Sequence, residues 1–117
     1  VIGRVHQALE GRESPTVAAL GLTFKADVDD LRESPALAIA RELALSTPDA
    51  AILAVEPNIS ELPDELRGLG SVTMAETEEA IARADVVLLL VDHREFRDLD
   101  RRLLTGRIVI DTRGAWR

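Results

Sequence analysis

The chain has no cysteine, one tryptophan, two phenylalanines and a single lysine in 117 residues. Without cysteine there is no disulfide, no thiolate metal site and no cysteine nucleophile. With aromatic residues at 3%, the core must come from Leu, Val, Ile and Ala, which supply most of the 46% hydrophobic content. No apolar stretch approaches the roughly 20 residues that span a bilayer, and no signal-peptide pattern opens the chain. A soluble, cytoplasmic protein without membrane contact is therefore expected. Acidic side chains outnumber basic ones, 21 to 14, for a net charge of −7. A nucleic-acid backbone would be repelled by that balance. A small phosphorylated ligand is compatible with it, because such a ligand feels mainly a few local cations.

The stretch from Thr16 to Leu45 sets the organisation. Val17 to Leu22 is a continuous apolar run with one glycine, the pattern of a strand buried on both faces. Thr23 to Glu33 is polar and mostly acidic, hence a surface loop. Ser34 suits a helix N-cap and Pro35 the first helical position, with Ala36, Ile39, Ala40 and Leu43 on one apolar face. Before this unit, Val1 to Glu10 reads as a short helix ended by Gly11. The chain opens inside that helix without a methionine, so residues 1–12 are expected to be the end of a linker helix from an upstream region, and 13–117 one domain. After it come a second strand at Ala50–Val55, one helical turn near Asp64–Arg67, and a short third strand at Ser71–Met74. A helix at Thr77–Ala84 leads to the strongest strand, Val86–Val91, then to a short helix with Asp92 and Glu95 as a capping box, and to a fifth strand at Ile108–Asp111. Such alternation predicts a three-layer, Rossmann-like α/β sandwich with five parallel strands in the order 3-2-1-4-5.

In open α/β sheets ligands sit at the carboxyl ends of the strands. Lys25 follows strand one and Arg113 follows strand five, with only strand four between them in this order. Strands are about 4.8 Å apart, so the two tips lie on the order of 10 Å from each other and both cations can reach one pyrophosphate. The competing reading is that both are ordinary solvated charges. Asp27, Asp29 and Asp30 invite a divalent-metal or phospho-receiver interpretation. A receiver, however, wants an aspartate after strand three and a lysine after strand five, where this chain has Met74 and Asp-Thr-Arg. Asp29, Asp30, Arg32, Glu33 and Ser34 are instead expected to structure the loop, Glu33 lying near a helix N-terminus. Glu56 stands where dinucleotide folds carry the acid for a ribose hydroxyl. The preceding turn has only Gly21, followed by Leu-Thr-Phe-Lys, so a direct NAD site in this domain is not expected. His93 reads as a surface histidine with no partner to activate, His6 carries no signal, and Trp116 starts the packing of a tail.

Gly21-Leu-Thr-Phe-Lys-Ala-Asp-Val-Asp-Asp-Leu-Arg-Glu-Ser-Pro-Ala36 resembles the C-terminal domain of the UDP-glucose/GDP-mannose dehydrogenase family. Val91-Asp-His-Arg-Glu-Phe96 and Asp111-Thr-Arg-Gly-Ala-Trp-Arg117 are most similar to its UDP-N-acetyl-D-mannosamine dehydrogenase branch. The resemblance covers nearly the whole chain. It implies a C-terminal UDP-sugar-binding domain whose parent also has an N-terminal NAD-binding domain and a central dimerisation domain, and forms a homodimer or larger assembly. Such a parent oxidises C6 of a nucleotide sugar to a carboxylate in two hydride transfers to NAD, with a catalytic cysteine upstream of this domain. By the same resemblance Phe24 and Lys25 contact the sugar and pyrophosphate, and Arg113 the phosphate side; Thr23 departs from the small residue common there. On this reading the fragment holds no catalytic residue and no metal, and binds no cofactor itself. The alternatives are a stand-alone nucleotide-binding module and a protein-interaction α/β domain without redox activity.

Overall fold

The computed structural model describes residues 1–116; Arg117, the last residue of the expected tail, lies outside the described residues. Five parallel strands form one sheet in the expected order β3-β2-β1-β4-β5. They are β1 (Thr16–Leu20), β2 (Ala51–Val55), β3 (Val72–Met74), β4 (Val86–Leu89) and β5 (Ile108–Asp111). The helices are α1 (Ile2–Leu9), α2 (Pro35–Ser46), α3 (Thr77–Arg83) and α4 (Arg94–Arg97), with 3-10 turns at Asp64–Leu66 and Arg101–Leu104. Among the described residues no helix is long and apolar enough to cross a membrane.

The side-chain alternation of the strands builds two cores, one on each face. Val17, Ala19, Ile52, Ala54, Val86 and Leu88 face the layer of α1 and α2, where Val5, Ala40 and Leu43 close over them. Ala18, Leu20, Leu53, Val55, Val87 and Leu89 face α3 and α4, against Ala80, Ile81 and Phe96. Val17 to Leu20 and Val86 to Leu89 are each 0% exposed, which explains why these runs show no polar alternation. Each fully buried Val, Leu or Phe contributes about 1.5–3 kcal/mol of transfer free energy.

All strands run the same way, so their carboxyl ends form one rim. The register places Leu20 beside Val55 on one side and Leu89 on the other, and Leu89 beside Asp111. At Gly21 the chain turns with φ of +99°, and a Cβ there would lie 2.6 Å from Val91 Cβ and 2.9 Å from its backbone nitrogen. Only glycine fits, because β1 leaves the sheet against the backbone that follows β4. Ser34 caps α2: its Oγ accepts from the Leu37 N–H at 3.2 Å and donates to the Leu22 carbonyl at 2.7 Å. One hydroxyl thus fastens the helix start to the exit of β1. We expect Ser34→Ala to cost about 2 kcal/mol in urea unfolding, roughly 1 for the cap and the rest for the buried carbonyl left unpaired.

One boundary expectation is corrected. Asp92 does not cap α4; the N-cap is His93, whose side chain makes no cap bond because it turns into the protein. The orphan Arg94 N–H is met instead by Asp27 Oδ1, at 2.8 Å, from the loop after β1.

Candidate functional site

The loop from Gly21 to Ser34 lies over the rim at β1 and is anchored from below by buried polar groups. Glu56, at the end of β2, is 3% exposed. Its Oε1 accepts the N–H groups of Leu22 and Thr23 at 2.8 and 3.2 Å, and its Oε2 the N–H of Asn58 at 3.0 Å and the Asn58 amide at 3.2 Å. From the far side of β1, His93 Nε2 meets the same Oε1 at 2.8 Å. Burial would push the Glu56 carboxyl up; the bonds from His93, Leu22 and Asn58 outweigh it and hold the group below the usual carboxylate range.

His93 is 0% exposed, which corrects its reading as a surface histidine without an acidic partner. Its Nδ1 lies 2.8 Å from the backbone N–H of Asp27. A backbone N–H only donates, so Nδ1 accepts and the proton sits on Nε2, shared between Glu56 and the Thr23 hydroxyl at 3.2 Å. Thr23 Oγ1 in turn donates to the Lys25 carbonyl at 2.9 Å. With both nitrogens engaged and no exposed surface, His93 presents no base to a ligand.

The acids of the loop divide. Asp27, with φ of +61°, caps α4 and reaches Arg97 at 3.3 Å. Asp30 takes the Arg32 guanidinium at 3.1 Å and its N–H at 2.9 Å, and its carbonyl accepts from Phe24 at 2.7 Å. The Arg32 guanidinium holds the half-buried Asp30 carboxyl below the usual range. Asp29 and Glu33, expected to structure the loop, are exposed and their side chains bond to no described residue. Among the described residues no group of three or more His, Asp or Glu side chains is placed to hold a metal ion.

Lys25 and Arg113 both rise from the same rim. Lys25 is exposed, and its ammonium pairs with no described residue. Arg113 Nε donates to the Leu90 carbonyl at 3.0 Å, and the Leu90 N–H is bonded to the Leu20 carbonyl. The guanidinium is thereby pinned over the tip of β4, beside β1, with its terminal amino groups unspent. Asp111 fixes the turn that carries it, accepting the N–H groups of Arg113, Gly114 and Trp116 at 3.0, 2.8 and 3.0 Å. Burial acts upward on the Asp111 carboxyl, but these backbone bonds hold it low. Trp116 closes the turn by donating Nε1–H to the Phe96 carbonyl at 2.7 Å. At the loop tip Phe24 is 46% exposed, an apolar face left in water above a shallow cleft of about 390 Å³ that Asp30, Arg32 and Glu33 also line.

A family model described as the UDP-binding domain of the UDP-glucose/GDP-mannose dehydrogenase family matches residues 18–117. The chain belongs to that family. It is 48% identical over 116 residues to an NDP-N-acetyl-D-galactosaminuronic acid dehydrogenase of Ralstonia solanacearum, covering 99% of this chain and 26% of that one. It is 46% identical over 101 residues to the UDP-N-acetyl-D-mannosamine dehydrogenase of Escherichia coli (strain K12), covering 86% of this chain and 23% of that one. The solved UDP-N-acetyl-mannosamine dehydrogenase of Staphylococcus aureus superposes with a TM-score of 0.74 at 32% identity, over 97% of this chain and 26% of that one. This UDP-binding domain thus spans about a quarter of the length of the curated relatives it matches.

Within the UDP-binding domain, the β1–α2 turn does not fit the pyrophosphate of a dinucleotide. In a dinucleotide fold that anion meets free backbone N–H groups at a glycine-rich turn. Here the Leu22 and Thr23 N–H groups are already bonded to Glu56, and the Leu37 N–H to Ser34. A larger cleft, about 810 Å³, opens past β2 and β3, but Glu76, Glu78 and Glu79 on its wall disfavour an anion. The rim at the ends of β1 and β5 carries two exposed cations, Lys25 and Arg113. The buried network was the part that sequence reasoning missed. Glu56 and His93 each follow a buried strand, and the strand order sets them on either side of β1, but nothing local marks that their side chains turn inward.

Proposed function

We propose that this domain binds the UDP moiety of a nucleotide sugar at the rim between Lys25 and Arg113, within an NAD-dependent nucleotide-sugar 6-dehydrogenase. The observation that carries the proposal is the pair of cations with unspent donors on one rim, at the ends of β1 and β5 with only β4 between them. Arg113 supplies a planar fork for phosphate oxygens and Lys25 a mobile point charge. Phe24 offers its face to the sugar or the base. Asp30, Arg32 and Ser34 brace the loop that holds it. The relatives named for UDP-N-acetyl-D-mannosamine make UDP-N-acetyl-D-mannosamine, oxidised at C6 in two hydride transfers, the favoured substrate. The reacting groups and NAD then belong to other domains of a cytoplasmic, oligomeric parent, with residues 1–12 the end of a linker helix. This domain contributes binding and orientation, which need no reacting group.

Titrating UDP and NAD separately into the chain tests this. UDP should bind and NAD should not at comparable concentration. Binding of NAD in preference to UDP would refute the assignment.

A further inference from the structure

Phe24 and Lys25 occupy a loop tip whose two flanks are tied to one buried side chain. On the incoming side Thr23 gives its N–H to Glu56, and its hydroxyl lies 3.2 Å from His93 Nε2 and bonds the Lys25 carbonyl. On the outgoing side the Asp27 N–H lies 2.8 Å from His93 Nδ1. Asp27 is held at φ of +61°, a conformation that a non-glycine residue keeps only when its surroundings fix it. The imidazole itself is set by Glu56 at 2.8 Å and by the Phe96 ring, 5.6 Å between centroids. We propose that His93, oriented by Glu56, is the positioning residue that sets the Phe24–Lys25 tip for the diphosphate. The inference rests on the UDP-binding assignment above, and goes beyond it by giving a ligand-distant residue control over ligand affinity.

The two ring nitrogens can be separated by substitution. His93→Asn keeps an acceptor near the Nδ1 position and loses the donor to Glu56. His93→Gln keeps a donor near the Nε2 position and loses the acceptor for Asp27. A merely structural role ranks Asn as the worse variant in every assay, because it strips a donor from a buried carboxylate. A positioning role reverses the ranking in two of them. In the ligand-free chain, the Asp27 amide should exchange with deuterium about tenfold faster in His93→Gln and near the wild-type rate in His93→Asn, each corrected for global stability. UDP affinity should fall about tenfold in His93→Gln and within about threefold in His93→Asn. Thr23→Val, a near-isosteric change that frees the Lys25 carbonyl, should weaken UDP in the same direction and covers the case in which an Asn or Gln variant does not fold. Unchanged Asp27 exchange in His93→Gln, or changed exchange with unchanged UDP affinity, overturns the proposal. A wild-type chain that protects the Asp27 amide but ignores UDP counts against the diphosphate reading and leaves the tether itself established.

Discussion

Glu56→Ala should be the most damaging single truncation at the rim, at about 3–5 kcal/mol, because it removes the acceptor from several buried donors at once. The N–H groups of Leu22, Thr23 and Asn58 and the Nε2–H of His93 all converge on this carboxylate. Leu22, Thr23 and His93 are each 0% exposed, so bulk water does not reach their donors in the folded chain. With a urea m-value of about 2 kcal/mol/M, the unfolding midpoint should fall by about 2 M. Glu56→Gln keeps one acceptor oxygen and should lose less. A drop under 1 kcal/mol for Glu56→Ala would show that the network is ornamental.

The same carboxylate gives the fold a pH dependence of definite sign. The folded-state pKa of Glu56 is depressed, and so is that of Asp111. A depressed acid contributes stability that is complete above its unfolded pKa, about 4.3 for Glu and 3.9 for Asp, and lost as pH falls from there through the folded value. Stability should therefore be flat near neutrality and decline below about pH 4–5. The decline should be shallower in Glu56→Gln; an identical acid slope would exclude Glu56 as its source.

The legible part of the sequence was the part governed by local chemistry. Val17–Leu20 and Val86–Leu89 announce strands buried on both faces because nothing polar interrupts them. Alternation of such runs with helical stretches leaves one economical topology, and the sheet adopts it. The placement of Lys25 and Arg113 was legible for the same reason, since a parallel sheet in this order brings the residues after β1 and β5 to one rim. What remained hidden depends on distance in space. Glu56 and His93 are 37 positions apart, and the His93–Asp27 contact spans 66. Each residue taken singly fits a surface role, and a polar side chain at a strand end carries no mark of whether it turns outward or inward. Asp92 likewise fits a capping box on sequence spacing, yet the cap comes from Asp27, far along the chain.

Lys25→Ala and Arg113→Ala should each weaken UDP binding by about 10- to 100-fold, since a charge-assisted bond to phosphate contributes about 1.5–3 kcal/mol. Neither change should unfold the domain: the Lys25 ammonium pairs with no described residue, and Arg113 gives up one bond, to the Leu90 carbonyl. The loss should vanish when uridine replaces UDP, because uridine has no phosphate for the cations to hold. It should also shrink as salt rises, since both groups are exposed and screening at about 8–10 Å weakens their long-range attraction. Arg102→Ala serves as the control, its guanidinium being engaged with Asp100 at 2.8 Å on an exposed turn away from the strand tips. In a full-length enzyme carrying this domain, Lys25→Ala should lower kcat/KM for the UDP-sugar while leaving the KM for NAD within about twofold, because the Leu22 and Thr23 N–H groups that a dinucleotide would need belong to Glu56. Equal losses for UDP and uridine would mean that Lys25 supports the loop rather than the ligand. An unchanged UDP affinity in both variants would move the diphosphate off this rim altogether.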